Sequence, residues 1–248
     1  MQRYFIETST PNEPTIAIGA PHYHHLINVM RHEVGDECIV VFNDRNSFIA
    51  TLVTITKAEA HLQLKTKLEK TVELPIEVTL ACGLPKGDKL ELIVQKSTEL
   101  GAFAIQPYVA ERSIVKWDDK KQGKKRQRLQ KIAQEAAEQS HRIQVPEIKA
   151  LLTTKQLAAA ATQYTHLFVA DEEEAKINEN QAYKALLRKI PVGSRLLIIF
   201  GPEGGLSRSE VDLFCQNGAI TGSFGPRILR TETAPLYAMA AISYEFEL

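Results

Sequence analysis

LLIIFGPEGGLSRSE, residues 196–210, decides how this chain is read. An apolar run of strand length, Leu196 to Phe200, stops at Gly201-Pro202, and Gly204 and Gly205 follow. Pro202 fixes φ and removes a ladder donor, so a strand ends there. Ser207, with Glu210 three positions on, is a capping box and starts a helix in LSRSEVDLFCQNG. The chain then repeats the device at SFGPRILRTETA, residues 223–234, where Gly225-Pro226 closes a second strand.

Strands and helices alternate outward from this stretch. IEVTLACGL, AFAIQPYV, THLFVA, RLLIIF and AITGSF are expected as strands. KGDKLELIVQKSTELG, KKRQRLQKIAQEAAEQS, TTKQLAAAATQY and NQAYKALLRKI are expected as helices, and LRTETAPLYAMAAISYEFEL as a closing one. In the first helix Asp88 is placed to cap, Glu91 completes a capping box, and Gly101 ends it. Leu90, Ile93, Val94 and Ser97 share one face. Such alternation predicts an α/β fold, a parallel sheet covered on both faces.

The pattern changes around Glu69–Pro75. Before it, RYFIE, ECIVVFND, SFIATLVTIT and AHLQLKTKL have strand character, with a hairpin at Asp44-Arg45-Asn46. HYHHLINVMRH (22–32) carries Leu26, Val29 and Met30 at helical spacing. Many short strands and one helix suggest a compact β-barrel. The expected division is a barrel over 1–72 and the α/β domain over 73–248.

Composition sets the outer limits. Of 248 residues, 44% are hydrophobic and 24% charged, the profile of an ordinary soluble protein. No apolar run approaches the roughly 20 residues of a membrane-spanning helix. MQRYFIETST lacks the layout of a signal peptide. Cys38, Cys82 and Cys215 are odd in number and widely spaced, consistent with reduced thiols in the cytoplasm. Net charge is zero, so nucleic-acid binding would need a local patch.

Ligands bind at the carboxyl ends of strands in an open parallel sheet, and both Gly-Pro loops are expected there, at neighbouring strand ends. GPEGGLS lacks the lysine and hydroxyl of a P-loop, and Glu203 would repel phosphate. It does not align to G-x-G-x-x-G. A cofactor pocket of another kind, or a pair of plain tight turns, remains. The second loop favours a pocket, because it runs into RILRTETA. Thr231 or Thr233 is placed to cap the final helix and Glu232 to complement its dipole. That leaves Arg227 and Arg230, which suit a phosphate or a developing oxyanion.

FGPEGGLS and FGPRILRTETA, with KGDKLELIVQKSTELG, EQSHRIQVPEI and HHLINVMRHEVGD upstream, closely resemble the RsmE family over nearly the whole chain. The resemblance implies an S-adenosylmethionine-dependent methyltransferase of the SPOUT superfamily. It implies N3 of a uridine in small-subunit (16S) ribosomal RNA as the target. It implies an N-terminal PUA-like barrel, a C-terminal deep trefoil knot and a homodimer. Three loops, after THLFVA, RLLIIF and AITGSF, would then form one pocket. The positions that would hold the cofactor are Phe200, Gly201, Pro202, Glu203, Gly204, Gly205, Phe224, Gly225, Ile228, Leu229, Thr231, Thr233 and Ala234. Ile228 and Leu229 would flank adenine. Leu236, Met239, Ala240 and Ile242 of the closing helix would help form the dimer interface or pack as core.

Removing the N3 proton puts negative charge on the uracil carbonyls. Arg230, with Arg227, is expected to stabilise it, and Glu232 or Glu203 is the nearest base. The implied RNA partner, free or in the assembled small ribosomal subunit, gives a meaning to KWDDKKQGKKRQRLQK (116–131), eight Lys or Arg against two Asp. Lys124, Lys125 and Arg126 lie within it. Arg31, Arg112-Ser113 and His141-Arg142 complete the expected RNA contacts. His22, His24 and His25 lack metal-ligand spacing, and the carboxyl run Asp171–Glu174 reads as solvated or as part of the cofactor loop, so no metal is expected. Two alternatives stand beside this reading. One is a non-catalytic RNA-binding or ribosome-assembly protein. The other is a SPOUT methyltransferase acting on transfer RNA or a ribose 2′-OH.

Overall fold

A computed structural model of the chain describes residues 1–173 and 181–248; Glu174, from the carboxyl run, and Asn180, from one expected helix, lie outside them. They divide into two compact units, Met1–Val72 with Glu138–Gln144 and Glu73–Ala137 with Val145–Leu248.

The first unit holds β1 (Arg3–Ile6), β2 (Thr15–Ile18), β3 (Glu37–Phe42), β4 (Ser47–Ile55) and β5 (Ala60–Lys67), in the order β1-β3-β4-β5-β2. β1 runs parallel to β3 and the other pairs are antiparallel. The sheet curls into a half-barrel with β1 and β2 at its edges. Tyr4, Leu26, Val40, Leu52 and Leu62 fill its core. Arg45 takes a left-handed φ of 64° in the β3–β4 turn. β2 was not expected: it is a four-residue edge strand preceded by Pro14, in a proline-bearing stretch whose composition is that of a loop.

The helix expected over 22–32 is shorter and wound differently. His24–Val29 is π-helical, and the Met30 amide donates to the His25 carbonyl at 2.9 Å. The i→i+5 winding rotates Val29 and Met30 away from buried Leu26. They are 55% and 42% exposed, so the three do not share a face.

In the second unit the order of elements is β6 (Glu77–Gly83), α1 (Lys89–Glu99), β7 (Ala104–Val109), α2 (Asp119–Gln139), β8 (Glu147–Ile148), β9 (Leu152–Thr153), α3 (Thr154–Ala160), β10 (His166–Ala170), α4 (Ala182–Leu187), β11 (Arg195–Phe200), α5 (Arg208–Gln216), β12 (Ile220–Gly222) and α6 (Thr233–Glu247). The sheet order is β12-β10-β11-β6-β7-β8, with β9 also on β7, and every pair is parallel. Side chains of β11 alternate between its faces. Leu196, Ile198 and Phe200 join the core under α1, α4 and α6, while Leu197 and Ile199 join the core under α3 and α5. Burial on both faces is why RLLIIF is an unbroken apolar run. Each such side chain stabilises the fold by about 1.5–3 kcal/mol.

Helix boundaries carry three findings. Ser207 accepts from the Glu210 amide and the Glu210 side chain reaches back, so the capping box of α5 is present. Asp88 precedes α1, but its side chain accepts no capping bond there. α6 begins only at Thr233, with Glu232 in the cap position making no side-chain cap. Thr231 and Thr233 therefore do not cap it; the Thr233 and Ala234 amides turn back to the Arg230 carbonyl at 2.8 and 3.0 Å.

β11 and β12, the strands before the two Gly-Pro loops, are not neighbours, because β10 lies between them. Parallel direction still puts all three carboxyl ends on one edge. No described helix is long and apolar enough to cross a membrane.

Candidate functional site

Three strand ends open onto one cavity of about 380 Å³, lined by Ala170–Glu172 at the end of β10, by the loop after β11 and by Gly222–Phe224 and Arg227–Thr231 at the end of β12. That volume suits a small-molecule site. The phenylalanines of the two Phe-Gly-Pro repeats meet there: Phe200 and Phe224 stack with centroids 5.8 Å apart and planes at 23°. Tyr183 packs edge-on against Phe224 at 4.7 Å. Behind them the buried Tyr108 hydroxyl donates to the Phe200 carbonyl at 3.0 Å, and burial holds this phenol well above its usual pKa.

Backbone shapes one wall. The Gly205 amide donates to the Pro202 carbonyl at 2.8 Å and closes a turn. A Cβ on Gly201 would sit 2.9 Å from the Gly205 carbonyl carbon and 3.0 Å from the Leu206 nitrogen, so backbone itself would have to move. Gly205 has φ +68°, and a Cβ there would meet Glu172 Oε1 at 2.8 Å. Arg112 holds the turn from outside, donating from Nη1 to the Gly204 carbonyl at 3.0 Å.

Lys89 at the start of α1 joins the two loops. Its Nζ lies 3.0 Å from Glu203 Oε1 and 3.3 Å from Glu232 Oε2. The Lys86 amide also donates to Glu203 Oε1, at 3.0 Å. Burial pushes the Glu203 pKa up, but hydrogen bonds from the Lys86 amide, its own amide and Lys89 outweigh it, and the carboxyl ends below its usual range. Glu232 is lowered too, first by its own amide, against some desolvation, and then by Lys89. Lys89 is correspondingly raised, chiefly by the hydrogen bond to Glu203. Arg227 and Arg230 line the same cavity and are exposed; neither pairs with a carboxylate among the described residues.

Two buried polar groups also line the cavity. Asp171 follows β10 directly, and its amide donates to the Gly222 carbonyl at 3.0 Å. Its side chain is 3% exposed, and Oδ1 accepts from Arg208 Nη2 at 2.7 Å and from the Glu173 amide at 3.1 Å. Among the described residues Oδ2 has no hydrogen-bond partner, and neither does the Oγ of Ser223, which is 5% exposed.

Of the residues singled out in the sequence, Phe200, Gly201, Pro202, Glu203, Gly205, Phe224, Ile228, Leu229, Thr231 and Ala234 line the cavity, with Arg227 and Arg230. Ile228, 64% exposed, presents apolar surface at its rim. Gly204, Gly225, Glu232 and Thr233 stand outside its lining. Lys89 and Ser223 were not singled out, and Asp171 entered only within a carboxyl run expected to be solvated or part of the cofactor loop. For Asp171 the available signal was its place directly after a parallel strand; it is buried, not solvated.

The expected RNA contacts scatter. Lys124, Lys125 and Arg126 are exposed on α2. Arg126 already donates to the Ile148 carbonyl at 2.6 Å, and Lys125 lies over the Trp117 ring at 5.4 Å. Arg31 and His141 are exposed, with left-handed φ of 56° and 60°. Two positions do not present themselves to a partner. Ser113 is 9% exposed and its Oγ accepts from the Ala110 amide, closing a turn. Arg142 is 3% exposed and its carbonyl accepts from Arg3. Both are part of the fold's interior. No group of three or more metal-ligating side chains assembles among the described residues.

Known proteins resemble this chain in sequence and fold. The RNA methyltransferase domain family matches residues 72–243, and the RNA methyltransferase PUA domain family matches residues 19–65. The ribosomal RNA small subunit methyltransferase E of Bacillus subtilis (strain 168) is 47% identical over 251 residues, covering 100% of this chain and 98% of that protein. The crystal structure of a ribosomal RNA small subunit methyltransferase E from Neisseria gonorrhoeae, bound to S-adenosylmethionine, is 29% identical with a TM-score of 0.84, covering 99% of this chain and 98% of that one. A methyltransferase structure from Legionella pneumophila, with the same cofactor bound, is 28% identical with a TM-score of 0.82, covering 98% and 96%.

Proposed function

Because this chain belongs to the RNA methyltransferase family, we propose that it methylates N3 of one uridine in small-subunit ribosomal RNA. It is an S-adenosylmethionine-dependent RNA methyltransferase. The observation that carries the fuller reading is the pair of exposed guanidiniums, Arg227 and Arg230, which form no salt bridge among the described residues and line a cavity closed by both Phe-Gly-Pro loops.

The residues fit the cofactor. Phe200, Phe224, Ile228 and Leu229 offer apolar surface for an aromatic base, and the glycine turn brings backbone close to it. Asp171 Oδ2 and Ser223 Oγ are buried and have hydrogen-bonding capacity to spare. When bound, S-adenosylmethionine supplies a methyl group on a sulfonium. The chain's own part is to hold the uracil in line, keep water out and stabilise the anion left when N3 loses its proton. Arg230, helped by Arg227, does the last of these at the carbonyl oxygens. Glu203 and Glu232 are anions tied to Lys89 with lowered pKa values, which makes either a weak proton acceptor. The arrangement thus favours anion stabilisation over a strong general base.

RNA contact falls to exposed basic groups: Lys124 and Lys125 on α2, and Arg31 and His141 in the first unit. The chain works as a homodimer in this reading. Met239 and Ile242 of α6 are buried in the core, but Tyr237 and Tyr244 are 46% and 71% exposed on the same helix, and Leu92 of α1 is 40% exposed. α6 packs against α1, so this apolar surface belongs to one pair of helices. A C-terminal trefoil knot is part of the proposal. β12 is at the sheet edge, whereas α6 returns to α1, so residues 223–232 must pass back across the ends of β10 and β11. A ribosomal substrate places the work in the cytoplasm.

The test is methyl transfer. The protein is incubated with methyl-labelled S-adenosylmethionine and small ribosomal subunits lacking native methylation, and the digested RNA is separated into nucleosides. The expected product is 3-methyluridine. Label in another base or in a ribose would overturn the target, and tight RNA binding without label would overturn the catalytic reading.

A further inference from the structure

Asp171 is an unusual residue to leave inside an α/β core. It ends the strand between the two Phe-Gly-Pro strands, is 4% exposed, and lines the cavity. One oxygen is fully engaged: Oδ1 takes the Arg208 guanidinium at 2.7 Å and the Glu173 amide at 3.1 Å. These fix the plane of the carboxylate. The other oxygen, Oδ2, is shielded from solvent and has no hydrogen-bond partner among the described residues. Ser223 lines the same cavity one residue beyond β12, and its Oγ is also buried and unpartnered. The Asp171 amide bond to the Gly222 carbonyl, 3.0 Å, ties the two segments together.

A buried polar atom without a partner is expensive, more so for a charged one. Nearly all such atoms in folded proteins are paired, so an exception calls for a reason. Here two exceptions line one cavity, on adjoining strands, with their positions set by other bonds. The cost is recovered if a ligand brings donors to them. Arg208, 55% exposed, bonds Oδ1 alone and acts as the carboxylate's anchor.

We propose that Asp171 and Ser223 form a polar subsite that takes hydrogen-bond donors of the cofactor, with Arg208 as a positioning residue behind Asp171. The donor chemistry is either the ribose hydroxyl pair or the ammonium of the methionine half. This rests on the reading of the cavity as the S-adenosylmethionine site. It assigns the cavity's anionic wall to the cofactor and leaves the cationic wall, Arg227 and Arg230, to the RNA base.

Binding is measured by titration calorimetry with the full chain, using S-adenosylmethionine and 5′-methylthioadenosine, which keeps the ribose but lacks the amino-acid end. Asp171→Asn preserves an Oδ1 acceptor for Arg208 and turns the Oδ2 position into a donor. It is expected to weaken S-adenosylmethionine binding about ten- to a hundredfold, and Ser223→Ala a smaller amount. The melting temperature of ligand-free Asp171→Asn should change little, since the ion pair to half-exposed Arg208 is lost but the buried carboxylate oxygen without a partner goes with it. Equal loss for both nucleosides places the ribose on Asp171; loss confined to S-adenosylmethionine places the ammonium there. Wild-type binding with no loss in either variant overturns the subsite. A lower melting temperature for Asp171→Asn with unchanged affinity also overturns it, because the carboxylate would then be structural. Wild-type protein that binds neither compound overturns the cofactor reading, and the subsite with it.

Discussion

Lys89 Nζ lies 3.0 Å from Oε1 of Glu203, a residue 114 positions further along the chain. KGDK, which leads into α1 and ends with its first residue, thus closes over the first Phe-Gly-Pro loop, and the same ammonium reaches Glu232 beyond the second. One cation braces both loops. Replacing it by Met removes the one cation that both carboxylates share. Lys89→Met is expected to weaken S-adenosylmethionine binding several-fold, with Lys89→Arg recovering most of the loss. Equal affinities for all three proteins would show that the loops hold without the brace.

The pH dependence follows from the same triad. Glu203 and Glu232 have lowered pKa values, so their contribution is present above the usual carboxylate range and lost as pH falls through the lowered values. Lys89 is raised, so its contribution is present below its ordinary value and lost only as pH rises through the raised one. Cofactor affinity should therefore be flat between about pH 6 and 9. A break in Kd near neutrality would point to a titrating group outside this triad.

Turnover should depend most on Arg230. If it stabilises the uracil anion, Arg230→Ala lowers kcat by about a hundredfold at saturating substrates while cofactor Kd stays nearly constant. Arg227→Ala should show a smaller effect of the same kind. A change confined to KM would assign these guanidiniums to RNA phosphate instead.

Two glycines give opposite results when replaced by alanine. Gly201→Ala drives a Cβ to 2.9–3.0 Å from backbone atoms of Gly205 and Leu206, and should cost about 1–3 kcal/mol and most of the cofactor affinity. Gly123 lies within α2, and a Cβ added there would meet nothing within 4 Å, so Gly123→Ala should stabilise by about 0.5–1 kcal/mol. Thermal denaturation of both variants decides the matter.

Thiol chemistry should pick out one cysteine. Burial pushes the thiols of Cys38 and Cys82 up to about 12, Cys38 further by the neighbouring Glu37, whereas Cys215 is exposed. At pH 8 an alkylating reagent is expected to add once to the native protein, at Cys215, and three times after unfolding. Mass spectrometry of digests reads this directly.

Much of this was open to inspection in the chain itself. Period and punctuation marked β11 and the α5 capping box, because a strand buried on both faces must be apolar throughout and a helix start must satisfy its own amides. FGPEGG and RILRTETA marked most of the cavity lining, since a backbone-walled pocket needs glycines at fixed places. Short or irregular pieces escaped. β2 pairs only because β5 offers it an edge, and the π-helical turn at His24–Val29 breaks the spacing on which its exposed residues were judged.

The alternation of strands and helices, the two Gly-Pro strand ends and the family they mark are legible in residue order alone, for these are local choices of backbone conformation and apolar period. Chain folding alone sets β10 between β11 and β12, brings Lys89 to both Glu203 and Glu232, and leaves buried polar atoms of Asp171 and Ser223 unpaired among the described residues. Those facts depend on which distant segments the folded chain brings together. Burial and hydrogen-bond partnership are properties of that surrounding, and no residue type carries them alone.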